Sequence, residues 1–188
     1  MKSHFERMAR YNAWANARLY SAARSLPDES YRRNVGAFFG SLHGTLNHLL
    51  VTDRIWMRRL TGEGEHPAKL DAIVFDDLAS LERARKAEDD RIVRYVEGLS
   101  EQDLGKEVSY STTKGVPQRN VLVEVLAHLF NHQTHHRGQA HTILTVLGIP
   151  EPPPLDLLAM FRERDTQISK KNASLGVERT DRERPRKH

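Results

Sequence analysis

The chain has 188 residues, 29 Lys/Arg against 25 Asp/Glu, and no cysteine. Disulfides and thiolate ligands from the protein are thereby excluded, and a domain of about 150 residues buries enough surface to fold without such staples. No stretch approaches the ~18 unbroken apolar residues of a membrane span, and charges interrupt the opening MKSHFERMARYNAWANARLY too often for a secretory signal. A cytoplasmic protein without membrane contact is expected, in line with the absence of cysteine.

The net charge of +4 is unevenly spread. Residues 165–188 carry seven Lys/Arg and four Asp/Glu, whereas the remaining 164 residues hold 22 bases and 21 acids. The body, expected to be one domain over 1–164, is nearly neutral, so no specific nucleic-acid partner is expected. The polar, basic tail 165–188 has the composition of an unstructured segment.

Met8, Ala15, Leu19, Ala22 and Leu26 recur at helical spacing and predict a first helix over 4–26, stopped by Pro27. A polar connection over 28–40 ends in Phe38 and Phe39. Ser41 to Leu60 reads as a second helix ended by Gly62 and Gly64. Asp77 is a suitable N-cap for a third, charged helix to about Leu99, with a thin apolar stripe at Leu78, Leu81, Ile92, Tyr95 and Leu99. Val108, Tyr110 and Val116 flank a Lys-Gly turn and predict a small hairpin within 106–119. Asn120 is expected to cap a long helix to Leu147, ended by Gly148 and Pro150, and a short helix from Leu155 to Arg164 closes the pattern. Four long helices and one minor hairpin predict an all-α four-helix bundle with at least one long connection.

Five of the ten histidines lie between His128 and His141. At about 100° per residue, His136 falls about 40° from His132, on a stripe with Val125, Leu129 and Ile143. An i, i+4 pair can bring two imidazoles to one metal. His128 with His132 makes an equally good pair, so spacing alone leaves the choice open. It also leaves open a hydrogen-bonded core, although burying uncompensated imidazoles is costly. The second helix offers His48, flanking a stripe with Leu49 and Trp56. His141, about 180° from His132, should face solvent, and His43, about 140° from His48, should point away. Three imidazoles suit Zn²⁺, Ni²⁺ or Fe²⁺ and leave room for water or substrate.

The segments YNAWAN (Tyr11–Asn16), GTLNHLLVTDRIW (Gly44–Trp56) and HLFNHQTHHRGQAHTIL (His128–Leu144) resemble the DinB/YfiT-like superfamily, most closely its DinB branch of damage-inducible proteins. The resemblance spans roughly residues 3–163. It implies a four-helix bundle holding one divalent metal through three histidines, and by motif these are His48, His132 and His136. It therefore selects the second i, i+4 pair. His128 and His135 are expected at the rim. Arg137 should anchor structure, and Gln139 should point inward, within reach of the open metal position. Asn12 and Asn16 should make polar interhelical contacts, and Trp14, Trp56 and Phe38 should lie in the core or an interface.

The resemblance further implies a metal-dependent S-transferase acting with a small thiol, with a metal-dependent hydrolase or a non-enzymatic metal- or stress-related binding protein as alternatives. A homodimer acting on a small molecule is expected. The residues themselves name no general base: there is no His-Glu-x-x-His, no Walker loop and no GxGxxG.

Overall fold

The computed structural model describes residues 1–174. Helix α1 spans Lys2–Ala23, the short α2 Asp28–Arg32, α3 Leu42–Thr61 and α4 Leu78–Gly98. A 3₁₀ turn at Asp103–Gly105 leads into strands β1 (Glu107–Ser111) and β2 (Pro117–Val121), then α5 (Leu122–Val146). Met1–Pro153 forms one compact unit. A second unit begins at Pro154 and contains α6 (Leu157–Ser174). Helix α6 runs past Arg164 and takes residues 165–174 of the expected tail into helix. The unstructured character expected for 175–188 lies outside the described residues. Among the described residues, no helix is long and apolar enough to cross a membrane.

Side chains with a capping oxygen set two of the boundaries. Ser41 Oγ accepts from the Gly44 amide at 3.1 Å and starts α3; Asp77 accepts from the Ser80 amide at 2.7 Å and starts α4. Gly62, at φ 75°, supplies the left-handed residue that ends α3. Asn120 does not cap α5. It pairs with Val108 in the antiparallel hairpin and accepts from the Tyr110 hydroxyl at 2.9 Å, while Val121 precedes the helix. The strand ladder holds the backbone extended one residue further than the capping chemistry alone would.

The long helices of the first unit make their main contacts as α1 with α4 and α5, and α3 with α4 and α5. Helices α1 and α3, consecutive among the long ones, are therefore diagonal to each other, as are α4 and α5. This requires the two longer connections, over 24–41 and 99–121. Phe5, Met57, Ile92, Val96, Leu126 and Phe130 form the apolar core.

The interior also holds a charged network. Arg85 forms ion pairs with Asp53 Oδ2 at 2.8 Å and with Asp89 Oδ1 at 2.9 Å, all three being at least 95% inaccessible. Asn12 and Asn16 each donate to Asp89 at 3.0 Å. Arg137 donates to Asn12 Oδ1 and lies over the Tyr11 ring. Arg85 and Arg137 thus face Asp53 and Asp89 inside the bundle, tying α1, α3, α4 and α5 together, and the buried Glu88 pairs with Arg91 at 3.0 Å. Arg137, Asn12 and Asn16 hold the anchoring roles expected of them.

Candidate metal centre

His48 on α3 and His132 and His136 on α5 converge between the two helices. Each offers a ring nitrogen, and these three atoms lie within 4.8 Å of one another. The Nε2 atoms of His48 and His132 are 3.3 Å apart. Two nitrogens bound at zinc's usual bond length and tetrahedral angle would also be about 3.3 Å apart. The spacing fits a shared ion.

Two of the far ring nitrogens are anchored. His48 Nδ1 donates to the Leu70 carbonyl at 2.7 Å, and His136 Nδ1 to Gln139 Oε1 at 2.7 Å. These bonds place the protons on Nδ1 and turn the Nε2 lone pairs inward, the arrangement metal-binding imidazoles need. Gln139 therefore does not occupy the open metal position expected for it: its oxygen holds His136, and its amide nitrogen donates to His135 Nε2 at 3.2 Å. Replacing Gln139 by alanine should lower metal affinity by about 10–100-fold while leaving one metal per chain at saturation. Titration against a competing chelator checks this, and unchanged affinity would count against the role.

Asn47, next to His48, presents Leu70. Its Oδ1 accepts from the Val74 and Phe75 amides at 3.0 and 3.1 Å, and its Nδ2 donates to the Phe75 carbonyl at 3.1 Å. The loop carrying Leu70 is thereby pinned to α3. Phe39 stacks on His48 with ring centres 3.8 Å apart and meets the edge of His136 at 5.5 Å. Gly44 permits this approach, because a Cβ there would strike the Phe39 carbonyl. In the sequence Phe39 stands out only as part of an aromatic pair, and Asn47 does not stand out by itself. The signal for Asn47 was its place beside His48 in a resemblance motif.

The other histidines separate as follows. His43 is buried against Tyr31 and bonds the Phe75 carbonyl at 3.1 Å, away from the cluster. His141 is half-buried rather than facing solvent: its Nε2 meets the Pro153 carbonyl at 3.0 Å, because the chain after α5 folds back over that side of the helix. His128 and His135 are exposed and lie beside His132 and His136, with ring centres 5.9 and 4.7 Å apart, as expected of rim residues. Trp14 and Trp56 are half-buried, whereas Phe38 is 85% exposed in the single chain and is no core residue.

Burial holds the cluster uncharged. It lowers His48 to about 4, against the opposing Leu70 carbonyl, and His132 to about 3, with His136 and His48 adding to the effect; His136 is lowered by burial too. Unfolded histidines titrate near about 6.5, so the unfolded chain takes up protons first as pH falls. The metal-free protein should therefore lose stability from about pH 6.5 down towards the folded values. Melting curves at pH 7.5 and pH 5 check this, and equal midpoints would contradict it. Metal should be retained below pH 6, where free imidazoles already protonate.

A bundle with three neutral imidazoles converging from facing helices, two of them anchored, has the architecture of a helical protein that could hold a metal ion. The family model of the DinB family matches residues 1–169, and the chain belongs to that family. It is 25% identical to Protein DinB of Bacillus subtilis (strain 168) over 147 residues, which cover 76% of this chain and 86% of that protein.

Proposed function

We propose that this DinB-family protein is a metal-dependent enzyme that activates a small thiol for transfer to an electrophile. The ion proposed is zinc or nickel, with iron as the further possibility for an all-imidazole set. The observation that carries the reading is the donor set: three uncharged imidazoles, two of them anchored by amide carbonyls rather than carboxylates. A divalent ion held there keeps its full charge and favours the anion of an incoming thiol or water.

The same pull acts on a thiol from a pKa of about 8.5 and on water from about 15.7. The thiol reaches its anion more completely, and this ranks thiol transfer above the hydrolase reading. In the transfer, the sulfur–carbon bond forms as the leaving group departs with its bonding pair, and the thiol proton passes to solvent. His48 and His136 are held in place by Leu70 and Gln139, so little reorganisation is needed when substrate enters. Phe39, stacked on His48, covers one side of the centre and limits access by water there.

Titrating the Co²⁺-loaded protein with 2-mercaptoethanol tests this. A strong near-ultraviolet sulfur-to-cobalt band is expected. A spectrum that ignores the thiol and changes only with pH would favour the hydrolase.

A further inference from the structure

Each of the three histidines is followed in the chain by a buried residue: Leu49 after His48, Gln133 after His132 and Arg137 after His136. Gln133, which has no exposed surface, joins the other two. Its Nε2 donates to the Leu49 carbonyl at 3.1 Å, and its Oε1 accepts from Arg137 Nη1 at 3.5 Å. The same side chain hydrogen-bonds the Asp53 carboxylate, one turn beyond Leu49 on α3. Helices α3 and α5 are thus joined one residue beyond His48 and His132, whose Nε2 atoms stand 3.3 Å apart.

His132 depends on that joint more than its neighbours do. Leu70 and Gln139 hold the rings of His48 and His136. Among the described residues no hydrogen bond holds the far nitrogen of His132, so its ring takes its place from the backbone of α5. A shared ion tolerates errors of about 0.2 Å in its bonds, whereas one residue of helix advances about 1.5 Å and turns about 100°. A small slip of α5 along α3 would therefore move His132 out of reach. An apolar side chain of similar volume would fill the interface. It would not fix the register, because hydrophobic contact is non-directional. The bond from Gln133 is directional, and it ends on the main chain of α3 rather than on a movable side chain.

We propose that Gln133 is a positioning residue of the histidine centre: its bond to the Leu49 carbonyl sets the register of α5 on α3 and so holds His132, whose ring is not anchored, opposite His48. This rests on the reading of His48, His132 and His136 as metal ligands. Gln133 does not touch the ion and acts only through the backbone that carries His132.

The test compares the full chain with Gln133→Met, which removes the amide at similar volume, and with Asn16→Ala, which breaks a buried bond to Asp89 between α1 and α4. Both variants should melt at a lower temperature than the parent chain. Co²⁺ affinity should fall about 10-fold in Gln133→Met, the lower end of the loss that an outer hydrogen-bond partner causes, and its visible ligand-field spectrum should shift. Asn16→Ala should keep both. A purely structural Gln133 would lower the melting temperature and leave affinity and spectrum unchanged, which overturns the proposal, as does an equal loss of affinity in the two variants. The metal-free chain gives an independent reading. The rings of His48 and His132, with centres 5.2 Å apart, should show an NMR cross-relaxation peak that Gln133→Met weakens and Asn16→Ala keeps. A peak unchanged in Gln133→Met also overturns the proposal. Should Gln133→Met not fold, Gln133→Asn, whose shorter amide falls short of Leu49, makes the same comparison. A parent chain that binds no Co²⁺ but whose ring contact depends on Gln133 sinks the metal reading and leaves the register role standing.

Discussion

Replacing His132 by alanine is expected to weaken metal binding by more than about 100-fold, beyond the loss that an outer hydrogen-bond partner causes. His132 stands between the other two imidazoles, with ring centres 5.2 Å from His48 and 4.4 Å from His136. His48→Ala and His136→Ala should be nearly as severe, because each removes one of three protein donors and the chain has no cysteine to substitute. His43→Ala and His141→Ala should leave the metal in place. Their rings bond the Phe75 and Pro153 carbonyls, and losing either bond costs stability of about 1 kcal/mol. Chelator competition for each variant at pH 7.5 provides the comparison. If His141→Ala lost its metal while His136→Ala kept it, the assignment would fall.

Arg85→Ala should destabilise the fold by about 3–5 kcal/mol, because it leaves buried carboxylates without their partner. For a chain of this size that lowers the melting temperature by on the order of 10 °C. Arg85 contacts both Asp53 and Asp89. Burial pushes Asp53 up to about 6, with Arg85 opposing the shift. The variant would leave only Arg137 to balance two acids. Pairing Arg85→Met with Asp53→Asn should recover part of the loss by restoring neutrality. Denaturant unfolding measures both variants, and a loss below 1 kcal/mol for Arg85→Ala would show that the network is not essential to stability.

This network also marks where sequence reading stopped. The apolar stripe of α4 was legible at Leu81 and Ile92, but Arg85 and Asp89 lie between them on the same buried face and read as solvent-exposed charge. Only the facing Asp53, Asn12 and Asn16, from distant segments, turn that charge inward. The helices of the bundle, the hairpin and the Asp77 cap were legible because spacing and capping are local. The short α2 was missed, since five residues are too few to show a period.

The candidate site divides the same way. Helical phase put His132 and His136 on one face but could not choose between the two histidine pairs; the resemblance did. The structure then set His128 at the rim. The Leu70 carbonyl was invisible beforehand, because a backbone atom in a loop carries no residue signature. Gln139 was placed near the centre, but its role turned on which ring nitrogen of His136 it meets.

The most direct measurement is a crystal of the zinc-loaded protein, with diffraction recorded on both sides of the zinc absorption edge. One anomalous peak per chain is expected, about 2.0–2.1 Å from the Nε2 atoms of His48, His132 and His136. A peak on other residues, or none in protein that elemental analysis shows to carry zinc, would contradict the account.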